Sequence, residues 1–280
     1  MSKLTDKPVF FGRLHQLRLS SPQPVQLAHF YQDNLGLKIE QRGCGWLCEG
    51  AGRSIEIVPG VAKTLQAAVW AVDESSLDDV LSRLSRHETA VHDRSAETLD
   101  SGAIGLRDPA GNLLIFGRPR VLSTSTTDKA PRLQHVVFAC RDMEPTLAFY
   151  TDVIGFTVSD RVLDEEGRLR SCFLRSDHEH HSVAIFKAAE DRLDHHCYEM
   201  RDWNDIKDMA DSFAARRVRI QWGPGRHGPG NNLFIFVHDP DGNWVELSAE
   251  LDVVAPDRPE QVWPHEERTL NIWGPAPLRS

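Results

Sequence analysis

Residues 239–247 read DPDGNWVEL, and residues 108–116 read DPAGNLLIF. Asp-Pro and Gly-Asn are strong turn formers, so each stretch predicts a tight turn that feeds a strand, and a hairpin is expected at 239–243. A second pair of matching stretches lies upstream, HFYQDNLGL at 29–37 and AFYTDVIGF at 148–156. The same two signatures in the same order mean that the chain is written twice, and every later residue is read against its counterpart in the other copy. Between the copies, VLSTSTTDKAP at 121–131 is rich in Ser and Thr and has no periodicity, as a surface linker would. The expected organisation is an N-terminal domain over 1–120, a linker over 121–131, a second domain over 132–252 and a tail over 253–280.

Each copy opens on a strand (LHQLRLS; LQHVVFAC) and continues into an amphipathic helix. That helix starts near Ser21-Pro22 in the first copy or Asp142 in the second and stops before Gly36 or Gly155. Short β-like runs follow (RSIEIV; HSVAIF), then another strand (LQAAVWAV; HHCYEM), a second helix (LDDVLSRLSR; DIKDMADSFAARR) and a last strand after the DPxGN turn. The order is βαβββ-like, repeated.

With 280 residues, two domains of moderate size are expected, each able to bury a core. A formal net charge of -9 argues against a nucleic-acid partner. No apolar run approaches bilayer-spanning length and the N-terminus has no signal-peptide core, so a cytoplasmic enzyme with no membrane partner is expected. Five cysteines, Cys44, Cys48, Cys140, Cys172 and Cys197, make no CxxC pair and read as reduced packing residues.

Three residues stand out for metal chemistry. Glu246 lies in NWVELSAEL, where Trp244, Glu246 and Ser248 share one strand face and Val245 and Leu247 the other. Burying a carboxylate there costs several kcal/mol unless a cation or donors compensate, although a solvated face would explain it equally well. His135 sits mid-strand in RLQHVVFA, a place where histidines are often plain core residues. His195 and His196 are neighbours, so alternation sends them to opposite faces and periodicity cannot choose between them. Alignment of the copies sets Gln16 opposite His135, Ala68 opposite His196 and Ile115 opposite Glu246. That comparison selects His135, His196 and Glu246. Two imidazoles and one carboxylate with open positions is the donor set of non-heme Fe(II) oxygenases; zinc is the plain alternative and Mn(II) a variant.

In LQHVVF, in HHSVAIF followed by HHCYEM, and in GRHGPGNN running into DPDGNWVEL, the chain resembles the type I extradiol ring-cleaving dioxygenases, which are catechol 2,3-dioxygenase-like members of the vicinal oxygen chelate superfamily. The resemblance covers nearly all of the chain and is strongest over 133–248. It implies an α+β fold of two vicinal-oxygen-chelate domains, each built of paired βαβββ modules on a curved mixed β-sheet. It also implies an Fe(II) enzyme of aromatic catabolism that inserts both atoms of O2 into a catecholic ring, beside the hydroxyls, to give a muconic semialdehyde type of product. His135, His196 and Glu246 match the family's metal ligands. His181 matches the acid and base that contacts dioxygen and shuttles the substrate proton, and His227 the histidine that bonds the second substrate hydroxyl. Phe173 falls among the substrate contacts. Phe236 stands where the family has a tyrosine, a departure that puts the substrate in question and makes Asn231 a candidate replacement donor. Outside the resemblance, His181 reads equally as part of a polar turn and His227 as a solvated loop residue.

Two other readings stay open. A different metal-dependent enzyme of the superfamily (an isomerase, thiol transferase or keto-acid oxygenase) would use the same donor set, since fold does not fix chemistry. A non-enzymatic aromatic-ligand-binding protein would need no redox metal. The tail carries Trp263 and Trp273 among prolines and is expected to pack on the second domain or on a neighbouring subunit of a homo-oligomer.

Overall fold

The computed structural model of the protein describes residues 11–93, 98–120 and 130–278. The linker expected at 121–131 lies, as far as residue 129, outside the described residues. Four modules of one order, strand, helix, three strands, make up the chain. The first is β1 (Gly12–Ser21), α1 (Pro24–Leu35), β2 (Lys38–Arg42), β3 (Gly45–Gly50) and β4 (Arg53–Pro59). The second is β5 (Thr64–Val72), α2 (Glu74–Arg86), β6 (His92–Asp93), β7 (Ile104–Arg107) and β8 (Leu113–Gly117). The third is β9 (Arg132–Cys140), α3 (Met143–Ala148, continued by a π-helical turn over Phe149–Ile154), β10 (Thr157–Leu163), β11 (Leu169–Arg175) and β12 (Val183–Lys187). The fourth is β13 (Arg192–Glu199), α4 (Trp203–Ala215), β14 (Ile220–Arg226), β15 (Leu233–His238) and β16 (Trp244–Ala249), and the tail adds β17 (Gln261–Pro264) and α5 (Glu267–Leu270).

Modules one and two share a sheet of order β2-β3-β4-β1-β5-β8-β7-β6, and modules three and four a sheet of order β14-β15-β16-β13-β9-β12-β11-β10-β17. Both sheets are mixed: β1 pairs with β4 and β9 with β12 in parallel, whereas the module-joining pairs β1/β5 and β9/β13 are antiparallel. This is the two-domain α+β architecture, with two βαβββ modules in each domain.

Local chemistry sets the element ends. Pro24 opens α1 two residues later than the Ser21-Pro22 signal suggests, and Gly36, at φ 70°, closes it where a side chain would be strained. Asp73 and Asp202 cap α2 and α4 by accepting backbone N–H bonds from Ser76 and from Asn204 and Asp205. Between β15 and β16, the DPDGN turn is tied by the Asp239 carboxylate, which accepts from the backbone N–H of Asp241 and Asn243.

A single core of buried side chains joins the two halves. It runs from Leu14, Tyr31 and Trp70 to Phe138, Tyr150 and Val245. The two repeated signatures meet across it in exchanged partnership. The Tyr31 hydroxyl of the first FY motif donates to Asp239 Oδ2 of the second DPxGN turn at 3.0 Å, and the Tyr150 hydroxyl of the second FY motif donates to Asp108 Oδ2 of the first turn at 3.0 Å. Each half thus supplies the tyrosine for the other half's turn.

Candidate metal centre and its cavity

Strand β13 is buried on both faces, so its residues form an almost unbroken buried run from Asp194 to Tyr198. The register decides which side chain looks where. Cys197 pairs with Glu246 on β16 and with His135 on β9, so these three residues share one face, and His195 joins them two residues away. His135 Nε2 lies 3.1 Å and His195 Nε2 3.3 Å from the same oxygen, Glu246 Oε2. His227 approaches from the glycine-rich loop, its Nε2 3.5 Å from Glu246 Oε1.

His196 requires a correction. Its ring projects from the opposite face of β13, where Nε2 lies 3.0 Å from the Tyr31 hydroxyl and the ring packs against Tyr198. The alignment of the copies was sound, since Ala68 also faces the core between the halves, but it picked the wrong member of the His-His pair. Asn231 also needs correcting: it is exposed, with Nδ2 3.4 Å from Asp252 Oδ1, whereas the buried neighbour Asn232 donates to Glu246 Oε1 at 3.1 Å.

Hydrogen bonds behind the imidazoles settle their tautomers. His135 Nδ1 lies 2.5 Å from Gln134 Oε1, and His195 Nδ1 lies 2.7 Å from Asp194 Oδ1. His227 Nδ1 lies 2.5 Å from the backbone oxygen of Leu270, in the tail. All three partners are acceptors, so each ring donates from Nδ1 and turns Nε2 toward the carboxylate, where its lone pair can serve a metal. Lone pairs facing a carboxylate in a site only 1–2% exposed at His135 and Glu246 are favourable when a cation lies between them. The donor set therefore fits a divalent metal held by His135, His195 and Glu246, with Gln134, Asp194 and Asn232 fixing the ligands.

Cys197 also has its sulfur within 4.8 Å of ligand atoms of His135 and Glu246. It does not line the cavity, however, and burial holds its thiol well above the ordinary range, so we read it as packing beneath the imidazoles. Burial alone would raise the Glu246 carboxyl, but the surrounding His135, His195 and His227 outweigh it and hold the group well below the ordinary carboxylate range. At His181, burial, then the neighbouring His135 and His180, hold the ring well below the ordinary histidine range and thus neutral.

This cluster forms one end of a cavity that opens to solvent. Its walls carry Phe173, Phe186, Trp222 and Phe236, together with His181, His227, Arg170 and His265. The Phe236 and Trp222 rings stack with centroids 5.1 Å apart, so the wall at Phe236 is apolar. His181 Nδ1 lies 3.1 Å from His180 Nδ1, which leaves Nε2 as its uncommitted nitrogen. The tail closes the cavity. Strand β17 pairs with β10, Trp263 Nε1 donates to Asp160 at 2.7 Å, and Thr269 and Leu270 form part of the lining. Sequence reading passed over Gln134, Asp194, Asn232, Arg170, Trp222 and His265. Only the Asp194-His195 adjacency offered a signal, because a carboxylate next to a histidine marks the ring that is being oriented.

All five cysteines are free, with Cys44 exposed and the others buried. Among the described residues no helix is long and apolar enough to cross a membrane.

Residues 132–247 match the model of the Glyoxalase/Bleomycin resistance protein/Dioxygenase superfamily. Metapyrocatechase 2 of Cupriavidus necator is 31% identical over 148 residues, which cover 51% of this chain and 44% of that one, so the chain spans less than half the length of this relative. 3-Methylcatechol 2,3-dioxygenase of Pseudomonas putida is 27% identical over 241 residues, 76% of this chain and 81% of the relative. The crystal structure of homoprotocatechuate 2,3-dioxygenase from Arthrobacter globiformis superposes with a TM-score of 0.84 over 97% of this chain and 90% of that one, at 20% identity, a likeness of fold.

Proposed function

We propose, from the match of residues 132–247 to the glyoxalase, bleomycin resistance protein and dioxygenase superfamily, that this chain is an extradiol dioxygenase that cleaves a catecholic ring beside its vicinal hydroxyls. The observation that carries the proposal is the convergence of His135 and His195 Nε2 on one Glu246 oxygen at the end of an aromatic-walled cavity. We assign the metal to Fe(II), with Mn(II) as the variant that the same ligands would accept. When bound, the metal supplies Lewis acidity toward the chelating hydroxyls and an electron path between the diol and dioxygen.

The remaining work falls to the chain. Phe173, Phe186, Trp222 and Phe236 exclude water and hold the ring by stacking and edge contacts. Neutral His181 stands 4.5 Å, ring to ring, from His135, and takes a proton from the substrate at Nε2, returning it later in the cycle. His227, fixed through Leu270, offers its Nε2 to the second hydroxyl. Opposite it, Phe236 has no hydroxyl to donate, so substrate orientation rests on His227 and on the walls.

The test is oxygen uptake by anaerobically purified, Fe(II)-loaded protein. One equivalent of O2 per diol and a yellow ring-opened product are expected. His181→Ala is expected to keep its metal and lose turnover. Full iron occupancy with no oxygen consumed across mono-, bicyclic and acid-bearing catechols would refute the proposal.

A further inference from the structure

At the end of the cavity away from Glu246, Arg170 has no partner that the proposed chemistry uses. The strand register explains its presence. Val162 on β10 pairs with Ser171, and Leu163 pairs with Leu169, so Arg170 is the extra residue of a β-bulge. A bulge re-aims side chains that alternation would send to the other face, and here Arg170 and Ser171 both line the cavity. Arg170 Nε is buried without a hydrogen-bond partner, and among the described residues no carboxylate forms an ion pair with this guanidinium. The two acids that line the cavity are committed elsewhere, Asp194 to Arg192 and His195, and Glu246 to the histidines and Asn232. His265, just after β17, lies at the same end, and its ring donates or accepts as a neutral group.

From this we infer, resting on the extradiol reading, that the substrate is an aromatic diol whose ring bears a carboxylate on a short side chain directed away from the hydroxyls, and that Arg170 is the specificity-determining residue that receives it. The spacing is compatible. Strand β11 lies two strands from β9, roughly 10 Å across, and Arg170 sits about five residues, or about 17 Å, along from the level of His135. Part of that separation is bridged by the arginine side chain, and a ring with a short acidic arm bridges the rest. The guanidinium offers a planar fork matched to a carboxylate, at a partly desolvated site where an unpaired cation is otherwise costly.

The test compares 3-(3,4-dihydroxyphenyl)propanoate with its methyl ester, which differ in charge but hardly in shape. Two measurements are made on the Fe(II)-loaded protein: kcat/KM in air, and Kd by anaerobic titration without turnover. The acid-to-ester preference is expected to fall by roughly 10- to 100-fold in Arg170→Gln for both quantities. Arg168→Gln removes the same charge from an exposed residue already paired with Asp164 and Glu166, and is expected to leave the preference unmoved. Turnover with an acid-to-ester ratio indifferent to Arg170, or a ratio equally sensitive to Arg168, would overturn the inference. Arg170-dependent anaerobic binding of the acid with no oxygen consumed would sink the dioxygenase reading and leave the anion subsite standing.

Discussion

The two halves of this molecule have the same modules and the same register, yet their cavity faces differ in chemistry. In the second half Cys197 pairs with His135 and Glu246, with His195 two residues away. In the first half Val69 pairs with Gln16 and Ile115, with Ala67 two residues away. Where the second half collects imidazoles around a carboxylate, the first closes the equivalent face with Ala67, Val69, Leu99, Ala103 and Ile115. An apolar fill of this kind stabilises by about 25 cal/mol per Å² removed from water, whereas an uncompensated buried carboxylate costs several kcal/mol. The architecture does not need the polar cluster, so its presence in one half only has to be explained by what it binds.

The sharpest way to break this comparison is to truncate the same position in both halves. Glu246→Ala is expected to abolish metal retention and to reduce turnover by at least about 1000-fold, since it removes a ligand outright and not merely a supporting group worth about 10- to 100-fold. Ile115→Ala is expected to keep metal and turnover and to cost about 2–5 kcal/mol in denaturant unfolding. Metal analysis of both purified variants checks this. Equal metal content in the two would mean that the halves do not differ as described.

A second comparison lies within one strand. His195→Ala is expected to lose the metal, while His196→Ala retains it and loses about 1–3 kcal/mol of stability through the vacated bond to Tyr31. The opposite pattern would restore the ligand set that alignment of the copies suggested.

That error marks the limit of what the sequence makes legible. The doubled βαβββ order, the turns at 108–112 and 239–243, and the prominence of His135 and Glu246 follow from composition, periodicity and the repeat. The choice between His195 and His196 does not. Alternation says only that the two point apart, and β13 is covered on both faces, by the cavity on one and the shared core on the other, so polarity gives no hint. Asn231 and Asn232 pose the same problem in a loop, where the left-handed backbone at Asn231, φ 55°, turns that side chain outward. Arg170 lay beyond reach for a related reason: its direction depends on a bulge, and a bulge is a property of the pairing between two strands, not of either strand alone. The exchange of tyrosines between halves is likewise invisible until the sheets face each other, although both FY and both DPxGN stretches stand out in the sequence.

That exchange supplies a smaller contrast. Tyr31→Phe and Tyr150→Phe each strip a buried carboxylate, Asp239 or Asp108, of one donor, and each is expected to cost about 1–3 kcal/mol. Tyr31→Phe is expected to cost more, because its hydroxyl also meets His196, a partner that Tyr150 lacks in the sheet of the first half, where Ala68 takes that place. Equal losses in matched urea titrations would show that the His196 contact contributes little.

The smallest effect separates the halves by pH. The strand-opening pair is His15-Gln16 in the first half and Gln134-His135 in the second, so the first half places its histidine where the second has an amide. Burial, and then the charge of Arg53, lower the His15 pKa to about 4. An unfolded histidine takes up its proton near pH 6.5, whereas the folded one resists until about pH 4, so between these values the unfolded chain binds more protons. The stability that His15 contributes is therefore complete above about pH 6.5 and is lost as the pH falls toward 4. Going from pH 8 to pH 6, linkage gives a loss of about 0.8 kcal/mol from this group. His15→Gln copies the residue of the second half and is expected to recover that amount in the difference between the two pH values, with other titrating groups cancelling in the comparison with wild type. Urea unfolding at pH 8 and pH 6 measures it, and an unchanged pH difference in His15→Gln would show that the first half holds no such acid-sensitive histidine.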